Sequence, residues 1–199
     1  MRLVVAAAAA AAALSALVAP AGAPAAVKPG TWCGGTRWKL MTLSDTSRKA
    51  VNWPAAATTV PDIATLSAPG RLGTTRGTSF EKQVWQIRAV IERYRVASNG
   101  EIVMQLYDIP SSLYMNAYMP NPKCLSSATR GRAQMVAART SFTSACPAPT
   151  ATWQMLGATA VLSGVGFWNP VKTTIGALKN GAELRPLTGF QLVNGCGKG

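Results

Sequence analysis

Few residues in this chain could carry out acid–base chemistry. The sequence contains no histidine, which removes the usual general base, the histidine-dependent triads and most zinc sites. Proton transfer would depend on seven carboxylates: Asp45, Asp62, Glu81, Glu92, Glu101, Asp108 and Glu183. No sequence spacing brings two of them together, and no glycine loop precedes a helix in a phosphate-binding pattern. We therefore expect no catalytic residue, no metal site and no cofactor.

Glu183 and Arg185 lie on a short predicted strand in the densest motif of the sequence, residues 159–187. We expect Glu183 to pair with an arginine of the core. An alternative function is a carboxylate-dependent hydrolase or nuclease-like barrel, with Glu183 beside a ligand loop at residues 171–179.

A row of aromatic and cationic residues indicates a binding surface. The tyrosines alternate with apolar residues along two strands, and the arginines fall on the strand before them. The predicted ligand-binding residues are Tyr107, Tyr114, Tyr118, Arg88, Arg93 and Arg95. Rings with interleaved cations suit bases or sugar rings. The alternative is that the preceding segment of the chain covers the tyrosines.

The elements that would position these residues are mainly strands. Residues 80–97 alternate with one phase shift, which indicates a bulge, and Asn99-Gly100 is a hairpin signal. Two further strands follow, then a helix from Ser126 or Ser127 to about Ser144, then two strands. This order predicts a small OB-like β-barrel, β-β-β-α-β-β, mainly β with one helix and an irregular N-terminal extension. Gly164 and Gly166 indicate close approach of another backbone or a ring.

The chain divides into three predicted parts. Residues 1–25 are alanine-rich and apolar after Arg2, which is typical of a signal peptide. Residues 26–79 form an extension packed on the core, with a short strand at residues 39–43 and a helix capped by Thr59 or Asp62. Residues 80–199 form the OB-like domain, and we expect a secreted, extracytoplasmic monomer without a transmembrane segment.

Four cysteines follow the apolar leader, and an even number in an exported chain favours disulfides. We prefer Cys124–Cys146, which brackets the predicted helix, and Cys33–Cys196, which joins the chain ends. The other pairings stay open if the chain does not fold back along that helix.

The charge balance indicates an anionic partner. Twenty lysines and arginines face seven acids, a net charge of +13. Such an excess attracts nucleic acid, wall polymers, acidic glycans or an envelope surface. The leading prediction is a basic binding protein for an anionic polymer, not an enzyme. The alternatives are a structural envelope-associated protein, or a charge that serves solubility alone.

Several segments carry a family pattern: RWKLMTLSD at 37–45, VN at 51–52, TTV at 58–60, SGVGFW at 163–168 and NGAELRPL at 180–187. Together they resemble a family of uncharacterised secreted bacterial proteins with the C-terminal motif SGVGF(F/W) followed by NG(I/A)EL(H/R)P. The resemblance implies the fold and export.

The chain departs from that family at its histidines. The family pattern has an acidic hairpin followed by histidine, His-Gly-Gln in the last loop and Glu-Leu-His-Pro at the end. Here Val103 and Arg185 stand at two histidine positions, and the loop reads Lys172-Thr173-Thr174. The resemblance therefore transfers no activity.

Overall fold

In a computed structural model, the structure describes residues 33–35, 37–170 and 175–196. They form a mainly β protein with six strands in one sheet. The strands are β1 (Asn52–Ala57), β2 (Gln83–Val96), β3 (Ile102–Asp108), β4 (Leu113–Met119), β5 (Gln154–Trp168) and β6 (Ala182–Asn194). The predicted mainly β class is confirmed.

Five of the strands close into a ring. β2 pairs with β3 on one side and with β5 on the other, and β6 lies between β4 and β5. Within the ring, neighbouring strands are antiparallel except β4 and β6, which are parallel. The strand and helix order from β2 to β6 agrees with the prediction. β1 was not predicted; it pairs parallel with the first part of β2.

Three α-helices connect or cover the strands. They are α1 (Trp38–Met41), α2 (Val60–Thr65) and α3 (Arg132–Ala145), with short 3₁₀ helices at Arg48–Ala50, Phe80–Lys82 and Pro122–Cys124. The predicted strand at residues 39–43 is wrong, because α1 occupies it. The predicted cap of α2 is confirmed: the Thr59 hydroxyl accepts from the Asp62 amide, and the Asp62 carboxylate accepts from the Thr59 amide.

α3 begins later than predicted. Gly131 precedes it with φ of 72°, a left-handed conformation that ends any helix approaching from the N-terminal side. Inside the ring, Phe142 of α3 makes edge-to-face contacts with Tyr94 of β2 and Phe190 of β6. α3 therefore packs its apolar face against the core shared by these strands.

The predicted close approach at the β5 glycines is confirmed. A Cβ atom on Gly166 would lie 2.2 Å from the Phe80 carbonyl oxygen, and one on Gly164 would lie 2.9 Å from the Leu187 side chain. β5 consequently lies directly against the 3₁₀ helix Phe80–Lys82 at Gly166 and against the Leu187 side chain of β6 at Gly164.

The disulfides are Cys33–Cys124 and Cys146–Cys196, with Cα–Cα distances of 5.4 and 4.7 Å. The predicted pairing of Cys124 with Cys146, and of Cys33 with Cys196, is therefore wrong. α3 has 14 residues and is about 21 Å long, and Cys146 follows its C-terminal end while Cys124 precedes it. The chain does not fold back along the helix, so each cysteine bonds to a different segment.

Two disulfides agree with an oxidising, extracytoplasmic environment. The predicted signal peptide at residues 1–25 lies outside the described residues. Among those that are described, no helix has the length and apolar character needed to cross a membrane.

Candidate functional site

On the exterior of the closed ring of strands, several arginines lie close to aromatic side chains. On β2, Ile87, Ala89 and Ile91 point into the core, while Arg88 is exposed. A bulge between Ile91 and Arg93 shifts the register, as the sequence predicted. We call the exterior set the outer face; it consists of Arg88, Arg93, Arg95, Tyr107, Tyr114 and Trp153.

Tyr107 and Tyr114 form a cross-strand pair between β3 and β4. Their ring centroids are 4.8 Å apart with planes inclined by 35°, and both side chains are half-buried. The Tyr114 hydroxyl donates to Glu92 at 2.8 Å. That hydrogen bond, more than burial, raises the pKa of Tyr114. The pair is thus fixed at the surface with its rings partly accessible.

A hollow of about 310 Å³ lies beside Tyr107. Its lining is Arg88, Ala89, Val90, Tyr107, Asp108, Ile109, Pro110 and Thr159. Ile109 is 65% exposed, an unusual position for a large apolar side chain. The hollow therefore combines an aromatic ring, apolar walls, one arginine and one aspartate.

Trp153 contacts the other two arginines, Arg93 and Arg95. The guanidinium carbons of Arg93 and Arg95 lie 5.0 and 5.1 Å from the centroid of a Trp153 ring, a distance typical of cation–π contact. Arg93 also donates to Gln105 of β3. Sequence reasoning missed Trp153; its position immediately before β5, opposite the arginines of β2, was the available signal.

Tyr118 is separated from the other predicted site residues. It is only 8% exposed, and the Arg185 guanidinium lies 4.2 Å from its ring centroid. Burial raises its pKa. Tyr118 consequently offers no accessible ring, although strand alternation places it on the same side of the sheet as Tyr114.

Tyr118 borders a second group, which we call the internal ion cluster. It consists of Arg37, Glu81, Glu101, Glu183 and Arg185. Arg185 of β6 donates from Nε and Nη2 to Glu101, and its Nη1 lies 3.7 Å from Glu183 Oε1. Burial alone would lower the pKa of Arg185, but Glu101 and Glu183 outweigh it and raise that pKa. Glu183 therefore pairs with an arginine, as predicted.

Residues before β2 complete the cluster. Arg37 donates to Glu81 at 3.2 Å and to the Trp168 carbonyl, and its guanidinium carbon lies 4.3 Å from the Phe167 ring centroid. Glu81 also accepts from the amides of Gly77 and Thr78. These contacts join Arg37 to the 3₁₀ helix before β2 and to the end of β5. Sequence reasoning missed Arg37 and Glu81, since no local pattern links residues 44 positions apart.

Glu183 is the strongly perturbed acid of the cluster. It is 3% exposed; its Oε2 accepts from Asn169 at 3.2 Å, while Oε1 has no hydrogen-bond donor among the described atoms. Burial raises its pKa to about 7, against the opposing effect of Arg185. Within the described residues, Glu101 before β3 and Glu183 of β6 each pair with Arg185 and do not hydrogen-bond to each other.

Neither of two comparisons with known proteins identifies this chain: no protein-family model matches it, and no curated protein matches it. Function is therefore inferred from the chain's own residues.

Proposed function

We propose that this protein is an exported, basic, OB-like barrel that binds an anionic polymer through its outer face. The observation that carries the proposal is the grouping of Arg88, Arg93 and Arg95 with accessible aromatic rings. In the described part of the chain, none of these three arginines forms an ion pair. Their positive charge is therefore available to a polyanion.

The OB-like assignment is part of this proposal. In the ring, the last strand, β6, lies between β4 and β5. In the sequence, α3 connects β4 to β5. Both features support the assignment. We assign residues 80–199 to the barrel and residues 26–79 to an extension packed on it. The contacts of Arg37 with Trp168 and Glu81 support that assignment.

Salt-dependent binding tests the proposal. Purified, disulfide-intact protein is titrated with single-stranded DNA, a glycerol-phosphate polymer and heparin across a range of salt concentrations. We expect binding of at least one of them at low salt, with affinity falling as salt rises. Absence of binding to all three at low salt would contradict the proposal.

A matched pair of variants locates the surface. The outer-face variant replaces Arg88, Arg93 and Arg95 with glutamine; the control replaces the exposed cations Lys49, Arg71 and Arg132. Both variants lose three positive charges, so a nonspecific charge effect would weaken polyanion binding equally in the two. We expect a loss of about three units of salt slope in the first variant only.

One observation favours a second candidate, a carboxylate-dependent hydrolase. Glu183 has a pKa of about 7, a value that suits general acid–base catalysis near neutral pH. The test is hydrolysis of single-stranded DNA and glycans by the native protein and by Glu183→Gln. Turnover that the substitution abolishes in a folded protein would favour this candidate. A structural envelope-associated role predicts neither binding nor turnover.

A further inference from the structure

We infer that the polymer is single-stranded nucleic acid, bound with one base in the hollow beside Tyr107 and its phosphates along the arginines of β2. This inference rests on the proposed function and specifies its ligand. The structure contributes three features to it: a ring-sized apolar hollow, a row of unpaired cations and a second ring farther along β2.

The hollow matches a flat aromatic base in size and chemistry. Its volume of about 310 Å³ is large enough to take a single flat base. Tyr107 supplies a π-face, while Ile109 and Pro110 supply apolar walls. Stacking on a tyrosine ring requires a base that is not already stacked in a duplex. The hollow therefore favours a single strand.

Arg88 lies on the same hollow, where a phosphate attached to the bound nucleotide would be neutralised. Along β2, Arg95 lies seven positions after Arg88, about 23 Å of strand. Arg93 and Arg95 are held against Trp153 at the far end. That length agrees with the short strands of roughly four or more nucleotides that single OB domains bind.

The carboxylates near the outer face restrict the path of the phosphates. Glu92 accepts from Tyr114, and Asp108 accepts from Ser111. Glu92 borders the tyrosine pair, and Asp108 lines the hollow together with Arg88. Both carboxylates repel a phosphate, so we expect the base of the nucleotide, and not its phosphate, to lie next to Asp108. The arginines of β2 provide an electropositive path across this surface.

Other polyanions fit these features less well. A glycerol-phosphate polymer has no ring, so it would leave the apolar walls of Ile109 and Pro110 unfilled. An acidic glycan has puckered rings bearing hydroxyl groups, which lose water without gaining hydrogen bonds against those walls. Both would use the arginines alone.

The experiment compares probes of equal charge that differ only in their bases. Fluorescence anisotropy is measured with a labelled thymidine dodecamer and with an abasic dodecamer of the same backbone, at several salt concentrations. We expect the base-bearing strand to bind about fivefold to a hundredfold tighter, as stacking of one or more bases provides. The salt slopes of the two probes should agree, because their phosphates are identical.

Three variants identify the site. Tyr107→Leu should remove most of the preference for the base-bearing probe, while Tyr107→Phe should keep it because the ring is retained. Arg88→Gln should lower the affinity for both probes by the same factor. The conservative phenylalanine variant separates loss of the ring from loss of folding, which circular dichroism checks independently.

The possible results distinguish failure of the nucleic-acid inference from failure of the proposed function. Equal affinity for the two probes, or tighter binding of a heparin or glycerol-phosphate oligomer of the same charge, would overturn the nucleic-acid inference and leave the proposed polyanion binding standing. Loss of preference in Tyr107→Phe as well would overturn the placement of the base on that ring. Binding to none of the probes would overturn the proposed function itself.

Discussion

The internal ion cluster and the outer face use similar residues in opposite ways. Inside, two arginines face three glutamates and every guanidinium has a carboxylate within 4 Å. Outside, three arginines lie near aromatic rings and none forms an ion pair with a described residue. The carboxylate of Glu92 on this face accepts a hydrogen bond from Tyr114. The internal cations are neutralised by the protein, and the external ones are left for a partner.

This difference separates structure from binding. Buried charges must be paired, because an unpaired ion in a protein interior is very costly. Surface arginines held against rings carry little folding energy, but they raise the local positive potential. The net charge of +13 alone does not distinguish the two kinds of arginine; their partners do. Substitutions in the two regions should therefore change different measured quantities.

The largest expected effect is at the centre of the internal ion cluster. Arg185→Met leaves Glu101 and Glu183 buried without their cation, and we expect a loss of about 3–5 kcal/mol in the free energy of unfolding. Urea denaturation of the disulfide-intact protein measures it. The double variant Arg185→Met/Glu101→Gln is the control and should recover part of the loss. A loss no larger than that of Arg88→Met would contradict the assigned burial.

The pH dependence of stability tests Glu183. Its pKa is about 7 in the folded state and near 4.5 when unperturbed, so the folded state binds more protons between these values. Stability therefore falls as pH rises through that window, by about 3 kcal/mol. Glu183→Gln should lack this contribution. Unfolding free energies of both proteins, measured from pH 4.5 to 8, should diverge by that amount; parallel curves would show that Glu183 is not desolvated.

The disulfide near the internal ion cluster should matter for stability and not for binding. Cys33 lies four residues before Arg37, and its bond to Cys124 closes a segment of 91 residues. Replacing both cysteines with alanine should cost about 2–4 kcal/mol while leaving the affinity for the dodecamer unchanged. Non-reducing peptide mapping checks the pairing first. A peptide that joins Cys33 to Cys146 or Cys196 would contradict it.

The smallest expected effect on stability is on the outer face. Arg88→Gln removes an exposed guanidinium with no ion pair in the described structure, so the free energy of unfolding should change by less than about 0.5 kcal/mol. The same substitution should reduce the salt slope of polyanion binding by about one unit. A large destabilisation would mean that Arg88 belongs with the structural cations.

The strand order could be predicted because its signals are local. Asn99-Gly100, the alternation from residue 102 to 107 and the phase shift within β2 depend on near neighbours in the sequence. The predicted start of α3 at Ser126 or Ser127 is too early, because the left-handed conformation of Gly131 makes that residue the boundary. The strand β1 was missed since it contains Pro54 and three alanines, a poor strand composition.

The candidate site was only partly predictable for a related reason. Arg88 and Tyr107 share a hollow, as adjacent strands with regular alternation would place them. Tyr118 obeys the same alternation, but its burial depends on Arg185 from β6 and on segments far away in the sequence. The disulfide pairing depends on the path of the chain around α3, which no spacing rule supplies.

The place of β6 in the ring affects how the protein acquires its fold. β6 is last in sequence, yet it lies between β4 and β5, so the earlier strands leave an open slot until residues 182–194 arrive. A chain that emerges from its N-terminus, from a ribosome or a translocation channel, can pair β2 with β3, β3 with β4 and β2 with β5 while both sides of the slot stay unpaired. We expect final closure to be late and slow, because it joins segments far apart in sequence. Truncation before residue 182 should therefore yield an aggregation-prone sheet with two free edges, not a smaller version of the protein.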